Sequence, residues 1–220
     1  MHITQICDLY AWLYTSLPTP AGMWDHLIPV DGAYAGIKKV DGIDYVMFRG
    51  STTFMDWMQD FQDFALPKND PTLGPLHNGF RSGVLMIKDQ IDALVENPVF
   101  VGHSLGAGHA AVCAGYRVAA GKPVQGLVLF GSPRPGGKQL ADILAHVDVQ
   151  SYCNTNTDGH DRVTDVPFTD QPQLPYQHIR NLSPCRGDPH PLDPWVIFKY
   201  HHFGLYCKAF GCGGSAALSL

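Results

Sequence analysis

The sequence predicts an α/β fold with a central, mostly parallel sheet and helices on both of its faces. Three observations carry that prediction. Short, continuously apolar runs of strand length, "VFVG" (99–102) and "VQGLVLFGSP" (124–133), read as buried parallel strands. Stretches with apolar residues at helical spacing follow each of them, so strands and helices alternate. The joins are short, and no repeat or linker divides the 220 residues, which predicts one domain over 1–220.

The elements follow in chain order. Ile3, Ile6, Tyr10, Leu13 and Leu17 recur at helical spacing and predict an amphipathic first helix. "AYAGIKKV" and "DYVMFRG" are two strands joined at "DG", a hairpin signal. "GFRSGVLMIKDQIDALVENP" carries Val84, Ile87, Ile91, Leu94 and Val95 on one helical face and ends at Pro98. A strand over "VFVG", a helix over 105–120 closing at Gly121, and the strand in "VQGLVLFGSP" come next. A helix in "GKQLADILAHV" and a strand in "DVQSYCN" complete the alternation. The Pro-rich run from Val166 to Pro194 resists assignment, and the small-residue tail 211–220 is expected to fray.

Composition narrows the function. Apolar residues make up 45%, enough for a real core. Fifteen Lys and Arg against twenty Asp and Glu give a formal charge of −5 without a basic cluster, which argues against nucleic acid as a partner. No apolar stretch has the length of a membrane span. The N-terminus lacks a basic leader and carries Asp8 within its apolar residues, so a mature, cytoplasmic chain is expected. Its six cysteines form no CxxC pair and are expected to be reduced, mostly as small core residues.

The chemistry centres on "GHSLG", Gly102 to Gly106, which follows a predicted strand and opens a predicted helix. In that setting a serine sits on a strained turn with its hydroxyl projecting, and flanking glycines let strand and helix approach. Ser104 is thus a candidate nucleophile, with the Leu105 N–H at the helix start facing developing negative charge. A serine nucleophile needs a base, and the base needs an orienting acid, in the chain order Ser, acid, His. Asp158, Asp161 and Asp165 lie near a strand end after Ser104; His178, His190, His201 and His202 follow them. Order alone permits several triads.

Six segments run in order from about Phe48 to Tyr206: "FRGSTTFMDWMQDF", "LHNGFRSG", "VGHSLGAGHA", "LFGSPRPG", "HDRVTDVPF" and "YHHFGLY". Together, and in this order, they make the sequence similar to the class 3 lipases, serine enzymes of the α/β-hydrolase fold. The resemblance implies the acid to be Asp161, with Val163 and Pro167 at the family's spacing, and keeps Asp158 as the alternative. It implies the base to be His202, two residues before Gly204, and keeps His201 as the alternative. It implies Ser51, after "FRG", as the oxyanion partner of Leu105; Ser51 also has capping-box spacing as a plain helix cap.

The amphipathic face of Phe54, Trp57, Met58, Phe61 and Phe64 falls where the family carries its lid, and is otherwise an ordinary core helix. Asp188, His190 and Asp193 in "GDPHPLDPW" match no metal-ligand spacing, and no cofactor is implied. His77, His103 and His109 are read as structural. The expected activity is hydrolysis of acyl esters of lipids, triacylglycerol or related, through an acyl-enzyme. Phospholipase A1 and short-chain or feruloyl-type esterase are the alternatives within hydrolases. A non-catalytic lipid- or partner-binding relative is the alternative outside them.

Overall fold

The computed structural model describes residues 1–15, 18–30, 33–50, 66–167, 175–188 and 199–213. Its main sheet runs β1 (His26–Val30), β2 (Ala33–Val40), β3 (Ile43–Phe48), β6 (Val99–His103), β7 (Gly126–Phe130), β8 (Val149–Asn156) and β10 (Ser183–Cys185) in spatial order. Along this order every neighbouring pair from β3 to β10 is parallel, while β1–β2 and β2–β3 are antiparallel. The β2–β3 hairpin turns at Asp41 and Gly42, with φ of 50° and 80°, the left-handed values that its tight turn needs. A separate hairpin pairs β4 (Pro67–Asp70) with β5 (Gly74–His77), and the short β9 (Gly159–His160) pairs with β8.

Side chains alternate between two cores, as the period of two requires. Val46, Phe48, Phe100, Leu127 and Leu129 point to one face. There α2 (Asn78–Leu94) inserts Phe80, Val84, Ile87 and Ile91, and α3 (Leu105–Ala119) inserts its alanines; α4 (Lys138–Ile143) adds Leu140. Tyr45, Met47, Val101, Val128 and Phe130 point to the other face, covered by α1 (Ile3–Ala11) and α5 (Phe203–Ala209). The fold is the α/β architecture that the alternation predicts.

Several boundaries differ from the sequence reading, each for a physical reason. The α2 helix ends at Leu94, short of Pro98, because Val95 turns extended and the Arg117 guanidinium takes the carbonyls of Val95 and Glu96. Strands β1 and β10 escaped the pattern because Pro29 and Pro184 interrupt them. Both lie on the sheet's edges, where a missing N–H is tolerated. The segment "YHHFGLY" turns into α5 directly after His202. Cys7, Cys113, Cys153, Cys185 and Cys207 are free and buried, and Cys212 is free and half-buried. Among the described residues no helix is long and apolar enough to cross a membrane.

Candidate active site

Strand β6 runs straight into α3, and Ser104 is the hinge between them. Its φ of 59° and ψ of −129° lie outside the regions a non-glycine residue favours, a conformation costing of order 1–3 kcal/mol. The surroundings hold it there: the Ser104 N–H donates to the Phe130 carbonyl (3.1 Å), and its own carbonyl accepts from Ala107 N–H (2.9 Å). The flanking glycines are steric necessities. A Cβ on Gly106 would stand 2.0 Å from the Phe48 carbonyl oxygen, and one on Gly102 would stand 2.2 Å from that of Gly106. Ser104 is 2% exposed, and its Oγ makes no hydrogen bond among the described residues. An unsatisfied buried hydroxyl is costly, and functional sites are where such costs concentrate.

Asp161 follows β9 and starts a single 3-10 turn, Arg162–Asp165. It is fully buried. Its Oδ1 accepts from Val163 N–H (3.0 Å), while Oδ2 accepts from the Tyr206 hydroxyl (2.5 Å) and faces His201 Nδ1 at 2.8 Å. An acceptor on Nδ1 fixes the ring so that its other nitrogen, Nε2, is the one available to exchange a proton. Thr164 closes the turn with its hydroxyl on the Asp161 carbonyl (2.7 Å). Gly131, at the end of β7 with φ of 52°, makes room for the pair: a Cβ there would stand 2.5 Å from Asp161 Oδ2 and 3.1 Å from His201 Cε1. Asp158 lies exposed in the preceding turn, where its carboxylate accepts from the Thr157 hydroxyl (3.2 Å).

The histidine expectation needs correcting. His201, not His202, meets Asp161; it is buried, whereas His202 is exposed. His202 is the N-cap residue of α5, and that helix buries Phe203, Leu205, Tyr206 and Cys207 against the sheet. Packing of the helix therefore turns its cap outward and the residue before it inward. The spacing to Gly204 that favoured His202 carries no information about this rotation.

The end of β3 comes up beside the elbow: a Cβ on Gly50 would lie 3.1 Å from Ser104 Cβ. Leu105 opens α3, so its N–H belongs to the first helical turn, where amides lack intrahelical acceptors. Ser51 and the aromatic face of Phe54, Trp57, Met58, Phe61 and Phe64 lie outside the described residues, as do His190 and Asp193. Asp188 is exposed. Among the described residues no three His, Cys, Asp or Glu side chains gather as a metal site.

Three side chains at the site were not singled out from sequence. Tyr206 donates to Asp161 while accepting from Asn154 N–H (3.1 Å). Tyr10 accepts from His103 N–H (2.8 Å) and donates to the Phe48 carbonyl. Tyr14 sits between His103 and Gly50. Nothing in the sequence announces what their hydroxyls meet. Of the histidines read as structural, His77 caps α2 by accepting from Gly79 N–H, and His109 is buried between the rings of Phe48 and Phe80.

The model of the class 3 lipase family matches residues 45–171, more than half of the chain. The chain belongs to the class 3 lipase family. With that membership it is a lipase-type carboxylic-ester hydrolase. No curated protein sequence matches the chain. Among solved structures it is similar to the triacylglyceride lipase of Rhizomucor miehei, with 19% identity over 83% of this chain and 79% of that one (TM-score 0.62). It is also similar to the mono- and diacylglycerol lipase of Aspergillus oryzae, with 17% identity over 92% and 87% (TM-score 0.63). A third is a triacylglycerol lipase whose catalytic centre is a serine protease triad, with 20% identity over 82% and 77% (TM-score 0.58). At these identities the likeness establishes the α/β-hydrolase fold.

Proposed function

We propose that the chain hydrolyses acyl esters of lipids, triacylglycerol or related acylglycerols, with Ser104 as nucleophile, His201 as general base and Asp161 as the acid that orients it. The observation that carries this reading is the buried Asp161–His201 pair beside a strained serine at the strand-to-helix turn. His201 lies against the elbow because its ring stacks on that of His103, the residue before Ser104, with centroids 4.6 Å apart.

In this mechanism Ser104 Oγ attacks the ester carbonyl carbon as its proton passes to His201 Nε2. The resulting imidazolium is held by the Asp161 carboxylate. Collapse of the tetrahedral intermediate breaks the bond to the alcohol, which leaves with the proton from His201, and an acyl-Ser104 ester stays behind. Water then attacks that ester with His201 again as base, releasing the fatty acid and restoring Ser104. The oxyanion is held by the N–H groups of Ser51 and Leu105; one such donor is worth about 3–4 kcal/mol of barrier. Two further facts favour a lipid acyl group: the structural relatives named above act on acylglycerols, and an aromatic amphipathic face follows Ser51.

The test is the initial hydrolysis rate on nitrophenyl esters from acetate to palmitate, with Ser104→Ala as the blank. The expected result is a rate that rises with chain length and is abolished in the variant. A rate confined to short chains contradicts the lipid substrate, and full activity in Ser104→Ala contradicts the site itself.

A further inference from the structure

We infer that His103, the residue between Gly102 and Ser104, is a positioning residue that sets both the base and the oxyanion strand of this site. The inference rests on the reading of His201 as the base. The main-chain N–H and both ring nitrogens of His103 are committed. Its N–H donates to the Tyr10 hydroxyl (2.8 Å), and its Nε2 lies 2.7 Å from the His201 carbonyl. A carbonyl only accepts, so Nε2 carries the hydrogen and donates it.

The rest of the hydrogen-bond chain then has one consistent direction. With the proton on Nε2, the Nδ1 of a neutral ring is an acceptor, and the Tyr14 hydroxyl donates to it (2.8 Å). The Tyr14 oxygen in turn accepts from Gly50 N–H (2.9 Å), the residue before Ser51. Burial, and then the neighbouring His201, hold His103 well below the usual histidine range, so it stays neutral as this pattern demands.

The consequence for His201 is fixation from two sides. Asp161 grips Nδ1, while His103 grips the main-chain carbonyl and presents a ring stacked on the His201 ring at an interplanar angle of 26°. The stacked ring and the carbonyl bond restrict how far the His201 ring can swing about its Nδ1 bond. Through Tyr14 the same side chain fixes Gly50, so base and oxyanion strand share one reference point next to the nucleophile. Phe203, 5.3 Å from His103 and 5.8 Å from Tyr14 by ring centroids, closes the apolar side of this cluster.

Steady-state kinetics of His103→Leu, His103→Gln and Tyr14→Phe test the inference, with Ser104→Ala run in the same assay. His103→Leu keeps apolar packing and loses both ring bonds. A misplaced reacting group costs on the order of 100-fold, so kcat should fall by about that factor with KM within about threefold. His103→Gln places an amide N–H near the former Nε2 and should recover about tenfold of that loss, while its thermal midpoint resembles that of His103→Leu. Tyr14→Phe keeps the ring and loses the bonds to His103 and Gly50; kcat should fall about tenfold at unchanged KM. Wild-type kcat in His103→Leu overturns the inference, as do equal kcat losses in the Leu and Gln variants. If His103→Leu fails to fold, Tyr14→Phe decides, and wild-type kcat there overturns it. Turnover surviving in Ser104→Ala overturns the proposed function instead, so the two failures are distinct.

Discussion

His201 and His202 are neighbours in the chain, yet only one of them shares a buried hydrogen bond with Asp161. This gives a sharp prediction. His201→Ala removes the proposed base, and kcat for ester hydrolysis should fall by about 10⁴-fold, the size seen when a triad member is lost. His202→Ala removes an exposed helix cap and should leave kcat within about threefold. Comparable losses in both, or a larger loss in His202→Ala, would contradict the assignment. At this scale the sequence was partly legible. The serine was visible from its glycines, because close approach of strand and helix excludes every Cβ at 102 and 106. Asp161 was ranked by its spacing to Val163 and Pro167, and of Asp158, Asp161 and Asp165 it is the one the fold buries. The histidine was not legible, because facing is decided by how α5 packs. The hydroxyls of Tyr10, Tyr14 and Tyr206 were hidden by the same logic: their rings fill apolar cores, and only three dimensions reveal the polar atom at the tip.

The elements read well where pattern and burial agree. Strands β6 and β7 are apolar because both faces of the sheet are covered, and α2 is periodic because one face alone meets the core. What the pattern cannot express is how a helix is anchored at its end. The Arg117 side chain, 3% exposed, runs from α3 to the C-terminal end of α2. It pairs with Asp92 at 2.6 Å and donates to the carbonyls of Val95 (3.0 Å), Glu96 (2.5 Å) and Pro123 (2.9 Å). Removing one partner of a buried pair leaves an uncompensated charge and orphaned carbonyls, so Arg117→Ala should cost about 3–5 kcal/mol. Urea unfolding checks this through a lower midpoint at an unchanged slope. A loss under 1 kcal/mol would mean that the guanidinium adds little beyond its desolvation cost.

For the whole molecule, buried histidines contribute to the pH dependence of stability. His109 has no exposure, and burial lowers its pKa from 6.5 to about 4; His103 is lowered as well, by burial and then by His201. A depressed folded pKa contributes stability that is complete above the unfolded value of 6.5 and is lost as pH falls through the folded value, because only the unfolded chain takes up the proton. The window for His109 is therefore pH 6.5 down to about 4. From pH 7 to pH 5 the His109 contribution should fall by about 2 kcal/mol. His109→Leu, which fills the space between Phe48 and Phe80, should remove its share of that slope in urea titrations at the two pH values. An unchanged slope would contradict the buried neutral state. The global architecture was the most legible level of all: alternation of strand and helix predicted the sheet, and its edges were missed only where proline masks a strand. The central claim, that one activated serine performs the ester chemistry of this lipase, is tested most directly by fluorophosphonate labelling followed by peptide mass spectrometry. The account predicts a single adduct on Ser104 that forms normally in His202→Ala and fails to form in His201→Ala. An adduct on another residue, or labelling that ignores the loss of His201, would contradict it.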